Sequence, residues 1–465
     1  MFFSVIFIIM SCIIALGICI YSYRQIQNNG FNCCTTFLLI MVLFYIIIPL
    51  LYVLFQGSRD VSTAFNKLLS TNSLEDIALN MFLAAVLIAM IFCFYHCSIK
   101  RGSVFIYCRL GKKKSKDRQS WNKNNRATGK KIERIADITL ILGGISIIVC
   151  ICAAGGIGNY LALGSQTRGL NKSLSDYFSS SFLPLITLSN IILASPFLYK
   201  YLLGVERNSN SLRMKFWISF CIAVIYLLYN QGRLPLLLFF IPFLLDMKIA
   251  KKAKIGTLIV VSILCIFILE PLSNLFLYFS YGRVASTQSA GFLKTLLLEF
   301  TYPFANFVNR SELLNCIGMR WGIDYIQWPL TVLPSSILKL IGFSKSSIET
   351  IGSLNTNAYS TMVGEVGGGI PTDFFTFNYY QFGMVSLLLA VPIIAWVLKK
   401  IDSRISDVEG NNATRILILR VCFLLISMVN NFDLSVIFRM RFDFLIIIWV
   451  IFYIAKTKRE CINEG

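Results

Sequence analysis

The chain has 465 residues, 56% of them hydrophobic and only 14% charged, with a mean hydropathy of +0.70. Many apolar runs are long enough to cross a hydrocarbon core roughly 30 Å thick, which excludes a soluble α/β enzyme and predicts an all-α, polytopic integral membrane protein. The net charge of +20 sits largely in short connectors between apolar runs, where lysine and arginine set orientation, so membrane lipid and not nucleic acid is the expected partner.

In chain order the runs predict eleven helices, over about 2–22, 36–56, 79–98, 136–154, 181–203, 215–230, 234–247, 255–275, 380–398, 415–430 and 442–456. They divide the chain into three N-terminal spans (1–98), a basic linker (99–135), spans four to eight (136–275), a large loop (276–379) and three C-terminal spans (380–465). Thirteen lysines and arginines lie between Lys100 and Arg134, including Lys112, Lys113 and Lys114, which predicts a cytoplasmic linker. Arg207 to Lys215, Lys248 to Lys254, Lys399 to Arg404 and the tail residues Lys456, Lys458 and Arg459 fall on the same side. Arg24 follows the first span and no basic residue precedes it, so the N-terminus is expected outside with no signal peptide, and the C-terminus inside. The linker lacks the first glycine and the strand of a phosphate loop, and reads as a solvated connector facing anionic headgroups.

Most of the fourteen cysteines lie in or beside spans, and Cys316 is alone in the large loop, so no disulfide framework is implied. Neither Cys33 with Cys34 nor Cys93 with Cys97 has a second ligand pair, the single histidine is His96, and there is no DxD pair. No metal and no cofactor are expected.

The loop of roughly a hundred residues between the eighth and ninth spans is far longer than an ordinary connector, which predicts a folded, functional unit. Arg283 and Arg310 bracket an amphipathic run containing Phe292, Leu293, Leu296 and Phe300, which Pro303 breaks. "DYIQWPLTVLPSSILKLIGF" suits an interfacial or re-entrant segment better than a further span. "NTNAYSTMVGEVGGGIPTDFFTFNYYQFG" interleaves Gly367, Gly368 and Gly369 with Asn355, Asn357 and Thr372 and with Phe374, Phe375, Tyr379 and Tyr380, a mixture suited to sugar rings. Glu365 and Asp373 are its candidate proton acceptors. Arg59, Arg168, Arg439 and Arg441 put arginine in the other outer connectors, where a planar fork of donors suits phosphate oxygens. Between the sixth and seventh spans "YNQGRLPLLLFF" carries Arg233. Both flanking runs are too short to cross upright, so this hairpin is expected to stop below the outer surface.

The layout, with "QGRLPLLL" (231–238), "RVASTQSAG" (283–291), "WPLTVLPSSI" (328–337) and "GGGIPTDFFTFNYYQFG" (367–383), resembles the bacterial O-antigen and capsular polysaccharide repeat-unit polymerases, the Wzy-type family. That resemblance implies a GT-C-like glycosyltransferase of the inner membrane with the large loop in the periplasm. Its donor would be a growing glycan on undecaprenyl pyrophosphate, its acceptor a hydroxyl of a single lipid-linked unit, and its neighbours a flippase and a chain-length regulator. Arg233 and Arg283 would stabilise the departing pyrophosphate, Arg168 and Arg310 would assist, and Glu365 or Asp373 would serve as base. Asn355, Asn357, Tyr379 and Tyr380 would contact sugar. The rival readings are an O-antigen ligase, whose usual outer histidine is missing, and a flippase or other transporter, which would show repeated halves.

Overall fold

The computed structural model describes residues 2–55, 63–97, 118–166, 183–206, 209–230, 233–248, 300–333, 335–340, 348–364, 369–408 and 413–463, and isolated residues between them. All secondary structure among the described residues is helical: α1 (Phe2–Asn29), α2 (Cys33–Leu54), α3 (Ala64–Ser70), α4 (Leu74–Cys97), α5 (Arg118–Ala153), α6 (Ile157–Gln166), α7 (Leu185–Val205), α8 (Asn210–Asn230) and α9 (Arg233–Lys248). After the predicted span 255–275, which lies outside the described residues, come α10 (Tyr302–Val308), α11 (Arg310–Ile317), α12 (Ile323–Ile326), α13 (Trp328–Val332), α14 (Ser335–Leu340) and α15 (Ile351–Val363). The chain closes with α16 (Phe374–Phe382), α17 (Met384–Val408), α18 (Arg415–Asn430), α19 (Leu434–Met440) and α20 (Phe442–Asn463).

Seven of these, α1, α2, α4, α5, α7, α8 and α17, are long and apolar enough to cross a membrane. Their outward faces are apolar, as lipid requires: Ile138, Ile141, Ile145 and Ile148 recur at helical spacing along α5, each more than half exposed. Lipid offers no hydrophobic drive for helices to associate, so close packing has to hold them. Gly143 of α5 is pressed so near α7 that a Cβ there would sit 2.8 Å from the Ile192 Cβ.

Ion pairs gather at one end of the bundle. Lys215 bridges Glu133 (3.0 Å) and Asp137 (2.9 Å), Arg415 pairs with Asp246 (3.1 Å), and Arg459 with Asp407 (2.7 Å). The Asp402 carboxylate accepts the Cys33 and Cys34 amides at 2.7 and 3.0 Å, capping α2 at that same basic end. At the other end α3, α11, α15 and α16 close over a second, smaller core of Leu68, Leu313, Ile351, Tyr359, Ile370, Phe377 and Tyr380, while Phe304, Ala305 and Phe307 of α10 belong to the main core. The "DYIQWPLTVLPSSILKLIGF" stretch is broken into α12, α13 and α14, none longer than six residues, so it makes no crossing. Pro303 does not simply end a helix there. It occupies the first turn of α10, where its missing N–H costs nothing.

Candidate functional site

Depth can be read from helix rise. Arg233 precedes Asp246 by thirteen residues of α9, roughly 20 Å at 1.5 Å per residue, and Asn230 follows Lys215 by fifteen residues of α8, roughly 22 Å. The hairpin tip therefore stands about 20 Å above the basic ion pairs, short of a roughly 30 Å core, and helix tilt only lowers it. The tip is braced from the side. Tyr229 stacks on Tyr160 of α6 with ring centroids 4.2 Å apart, and a Cβ at Gly164 would fall 1.8 Å from the Tyr229 carbonyl oxygen.

Three further elements reach a similar level. In α2 the ladder widens to a π-turn over Leu43–Ile47, because Pro49 has no N–H for the Tyr45 carbonyl four residues back and its ring crowds that oxygen. Tyr45, twelve residues or roughly 18 Å beyond Cys33, then donates its hydroxyl to the Asp373 carboxylate. Asp373 is the N-cap of α16, accepting the Phe375 and Thr376 amides at 3.1 and 3.2 Å. Asn430 ends α18 fifteen residues, roughly 22 Å, above Arg415, and its carbonyl accepts the Tyr302 hydroxyl at 2.9 Å. Irregular backbone on both sides is joined where the Phe432 amide donates to the Thr372 carbonyl at 2.8 Å. Tyr359, Asn306 and Pro371 continue the layer, through a 2.8 Å hydroxyl-to-amide bond and a 2.9 Å bond from the Asn306 amide to the Pro371 carbonyl.

The residues singled out from the sequence fall into three groups. Arg168, Arg283, Glu365, Gly367 and Gly368 lie outside the described residues, and of Arg233 only the backbone, at the first position of α9, is described. Arg310 and Tyr379 are brought together. The guanidinium lies over the Phe307 and Tyr379 rings at 4.5 and 5.2 Å and donates to Asn80 Oδ1 and the Phe307 carbonyl, both at 2.5 Å. Its Nε is buried with no hydrogen-bond partner, and no ion pair engages it among the described residues. Burial pulls its pKa down, opposed by Tyr379 and Asp373.

Asn355, Tyr380 and Asp373 form the third group, and they are interior. Tyr380 donates to Asn355 Oδ1 at 2.7 Å, and the Asn355 amide donates to the Ile370 carbonyl at 3.2 Å, so the pair clamps the turn leading into Asp373. Phe374, Phe375 and Thr372 are buried with them, whereas Asn357 is exposed on the other face of α15. Burial raises the Asp373 carboxyl to about 6, with Thr376 and Tyr45 bonding against it, and Oδ2 has no partner.

Sequence reasoning passed over Tyr45, Asn306, Tyr359 and a buried charge pair, Arg420 with Asp443. The last had a readable signal, since both charges interrupt apolar spans. The final connector contains α19 and ends at Arg441, half-buried and two residues before Asp443. Among the described residues no three His, Cys, Asp or Glu side chains converge on a metal position. Among the described residues the layer offers the Arg310 guanidinium, hydroxyl and amide donors and the buried Asp373 carboxyl. Comparison with known proteins gives no match to the chain in any family model, curated protein or solved structure.

Proposed function

We propose that this protein joins lipid-linked oligosaccharide repeat units into a surface polysaccharide, as a membrane-embedded, GT-C-like glycosyltransferase with eleven spans. In this reading the basic end faces the cytoplasm of a bacterium, the α10–α16 end and the N-terminus face the periplasm, and the C-terminus is cytoplasmic. The observation that supports it most is the depth of the α8–α9 hairpin. It carries Arg233 about 20 Å above the basic ion pairs, below the outer surface, where the headgroup of a polyprenyl pyrophosphate meets hydrocarbon.

The acceptor hydroxyl attacks the anomeric carbon of the donor glycan, the bond from that carbon to the pyrophosphate oxygen breaks, and the hydroxyl proton passes to a carboxylate. Charge collects on the leaving pyrophosphate, so fixed guanidinium groups at Arg233, Arg283, Arg168 and Arg310 stabilise the transition state more than the ground state. Asp373 is fully buried, capping α16 and holding Tyr45. That makes Glu365 the first choice for the base.

Deleting the gene in its host and resolving the surface polysaccharide on a gel tests the reading. A lost polymerase leaves lipid A core with one repeat unit, a lost flippase leaves none, and a lost ligase leaves polymer unattached to core. Arg233→Ala and Arg283→Ala are expected to give the one-repeat pattern with the protein still in the membrane. A normal ladder from both removes the site assignment.

A further inference from the structure

Between α11 and α13 the chain turns through Met319, Trp321, Ile323 and Ile326, all exposed, Trp321 at 71% and Ile326 at 77%. In water so much apolar surface on one short turn is a liability. The backbone is also strained to keep it there. Trp321 has φ +51°, the left-handed region that a bulky side chain rarely enters, at a cost of about 1–3 kcal/mol that glycine would not incur. Two backbone bonds fix it, from the Arg320 amide to the Tyr380 carbonyl and from the Trp321 amide to the Gln381 carbonyl, both 2.9 Å. The charges of the turn, by contrast, are paired. Arg320 donates to both oxygens of Asp324 at 3.0 Å, and Asp324 also accepts the Gln327 and Gln381 amides at 2.6 and 2.9 Å. An apolar rim over charges that already satisfy one another can enter a medium of low dielectric without stranding a charge there.

The neighbours of the turn say what covers it. Trp321 packs edge-on against Phe382 with ring centroids 6.0 Å apart, and a Cβ at Gly322 would fall 3.1 Å from the same ring. Below Phe382 an exposed stripe runs along α17 through Val385, Leu389, Ile393 and Trp396, at steps of three or four residues, which is the lipid face of a membrane-spanning helix. The rim is therefore continuous with a lipid-facing surface. Height decides whether lipid reaches it. Met384 begins α17 fifteen residues before Lys399, where the apolar part of the helix ends, so that part is roughly 22 Å long against a hydrocarbon core of roughly 30 Å, and tilt shortens its reach further. A span too short by roughly 8 Å is matched by thinning the bilayer or by apolar residues placed above it, and Phe382 and the rim of the turn occupy that place.

We infer that residues 319–326 are inserted into the leaflet remote from the basic ion pairs, with Trp321 and Ile326 among its acyl chains. The partner is bilayer lipid, met through hydrocarbon contact and not through a headgroup charge. The outer helices are then seated in the membrane by this wedge as well as by their bonds to the bundle, and the strain at Trp321 is offset by the insertion of its ring. Nothing in this inference depends on the chemistry proposed above.

The test places the full-length protein in phosphatidylcholine liposomes, plain or brominated on the upper acyl chain, and reads tryptophan fluorescence. Bromine quenches only an indole that lipid touches, and aqueous iodide, present on both sides of the membrane, only one that water touches. Trp321 is isolated as the signal lost in Trp321→Phe, and position 326 as the signal gained in Ile326→Trp, so failure of either variant to fold leaves the other to decide. Each signal is expected to fall by about twofold or more in brominated lipid and to be unchanged by iodide in plain lipid. Signals that iodide quenches and brominated lipid does not would overturn the inference and make the turn a water-facing surface. Signals reached by neither quencher overturn it as well, because a second copy or another part of the chain then covers the turn.

Discussion

Replacing Asp373 by asparagine isolates the most strongly buried acid of the polar layer. Burial raises this carboxyl from an ordinary 3.8 to about 6, so the folded protein holds the proton more tightly than the unfolded chain does. The stabilisation is complete well below pH 4 and is lost as the pH rises through 6, because above that the folded state has to carry a buried carboxylate. At 1.36 kcal/mol per unit, a shift of that size is worth about 3 kcal/mol. Asparagine keeps an oxygen for Tyr45 and for the α16 amides but cannot titrate. Unfolding in detergent, followed from pH 4 to pH 8 for both proteins, reads the group directly. The stability of wild type minus variant is expected to fall by about 2.4 kcal/mol across that window, the remainder being lost below pH 4 as the unfolded chain ionises. Asp433 is also raised by burial, but it titrates in both proteins and cancels in the difference. A difference that is flat with pH, or that rises, refutes the reasoning.

Two other perturbations probe the packing around the hairpin. Gly164→Ala places a methyl group 1.8 Å from the Tyr229 carbonyl oxygen, so α6 has to lift off the tip of α8. A cost of about 1–3 kcal/mol is expected, read as a lower melting temperature. Arg420→Met leaves Asp443 charged, buried and unpaired, with an expected loss of about 3–5 kcal/mol, while the double change Arg420→Met with Asp443→Leu recovers most of it.

Composition made the helical membrane architecture legible, because apolar length is a property of each segment alone. Boundaries set by pairing were not. The predicted span 215–230 begins instead at Asn210, and Lys215 looks like a connector residue until Glu133 and Asp137, nearly eighty positions away, neutralise it. The predicted span 380–398 is divided at Gly383, whose φ of +64° separates α16 from α17, a break that hydropathy cannot register. Asn355 and Tyr380 have the composition of a sugar platform, yet they hydrogen-bond each other in the interior. Polarity and aromaticity do not reveal which way a side chain faces until its neighbours are known.

The irregular backbone at 370–373 and 431–433 sits beside apolar helices, where unsatisfied N–H and C=O groups are tolerated only if protein covers them. The covering comes largely from the outer helices: Tyr302 reaches the Asn430 carbonyl, Asn306 that of Pro371, and Asn355 that of Ile370. The α10–α16 unit therefore completes the bundle instead of merely resting on it, and damage to its polar contacts should destabilise the whole protein. Asn306→Leu is the sharpest case. It removes the 2.9 Å bond to Pro371 and leaves the fully buried Tyr359 hydroxyl without its 2.8 Å acceptor. The expected loss is about 1–3 kcal/mol for the stranded group. Asn357→Leu, an equal change at an exposed site on the neighbouring helix, is expected to leave the melting temperature unchanged. Equal melting temperatures for the two variants would show that the outer helices form a separate cap whose contacts the bundle does not need.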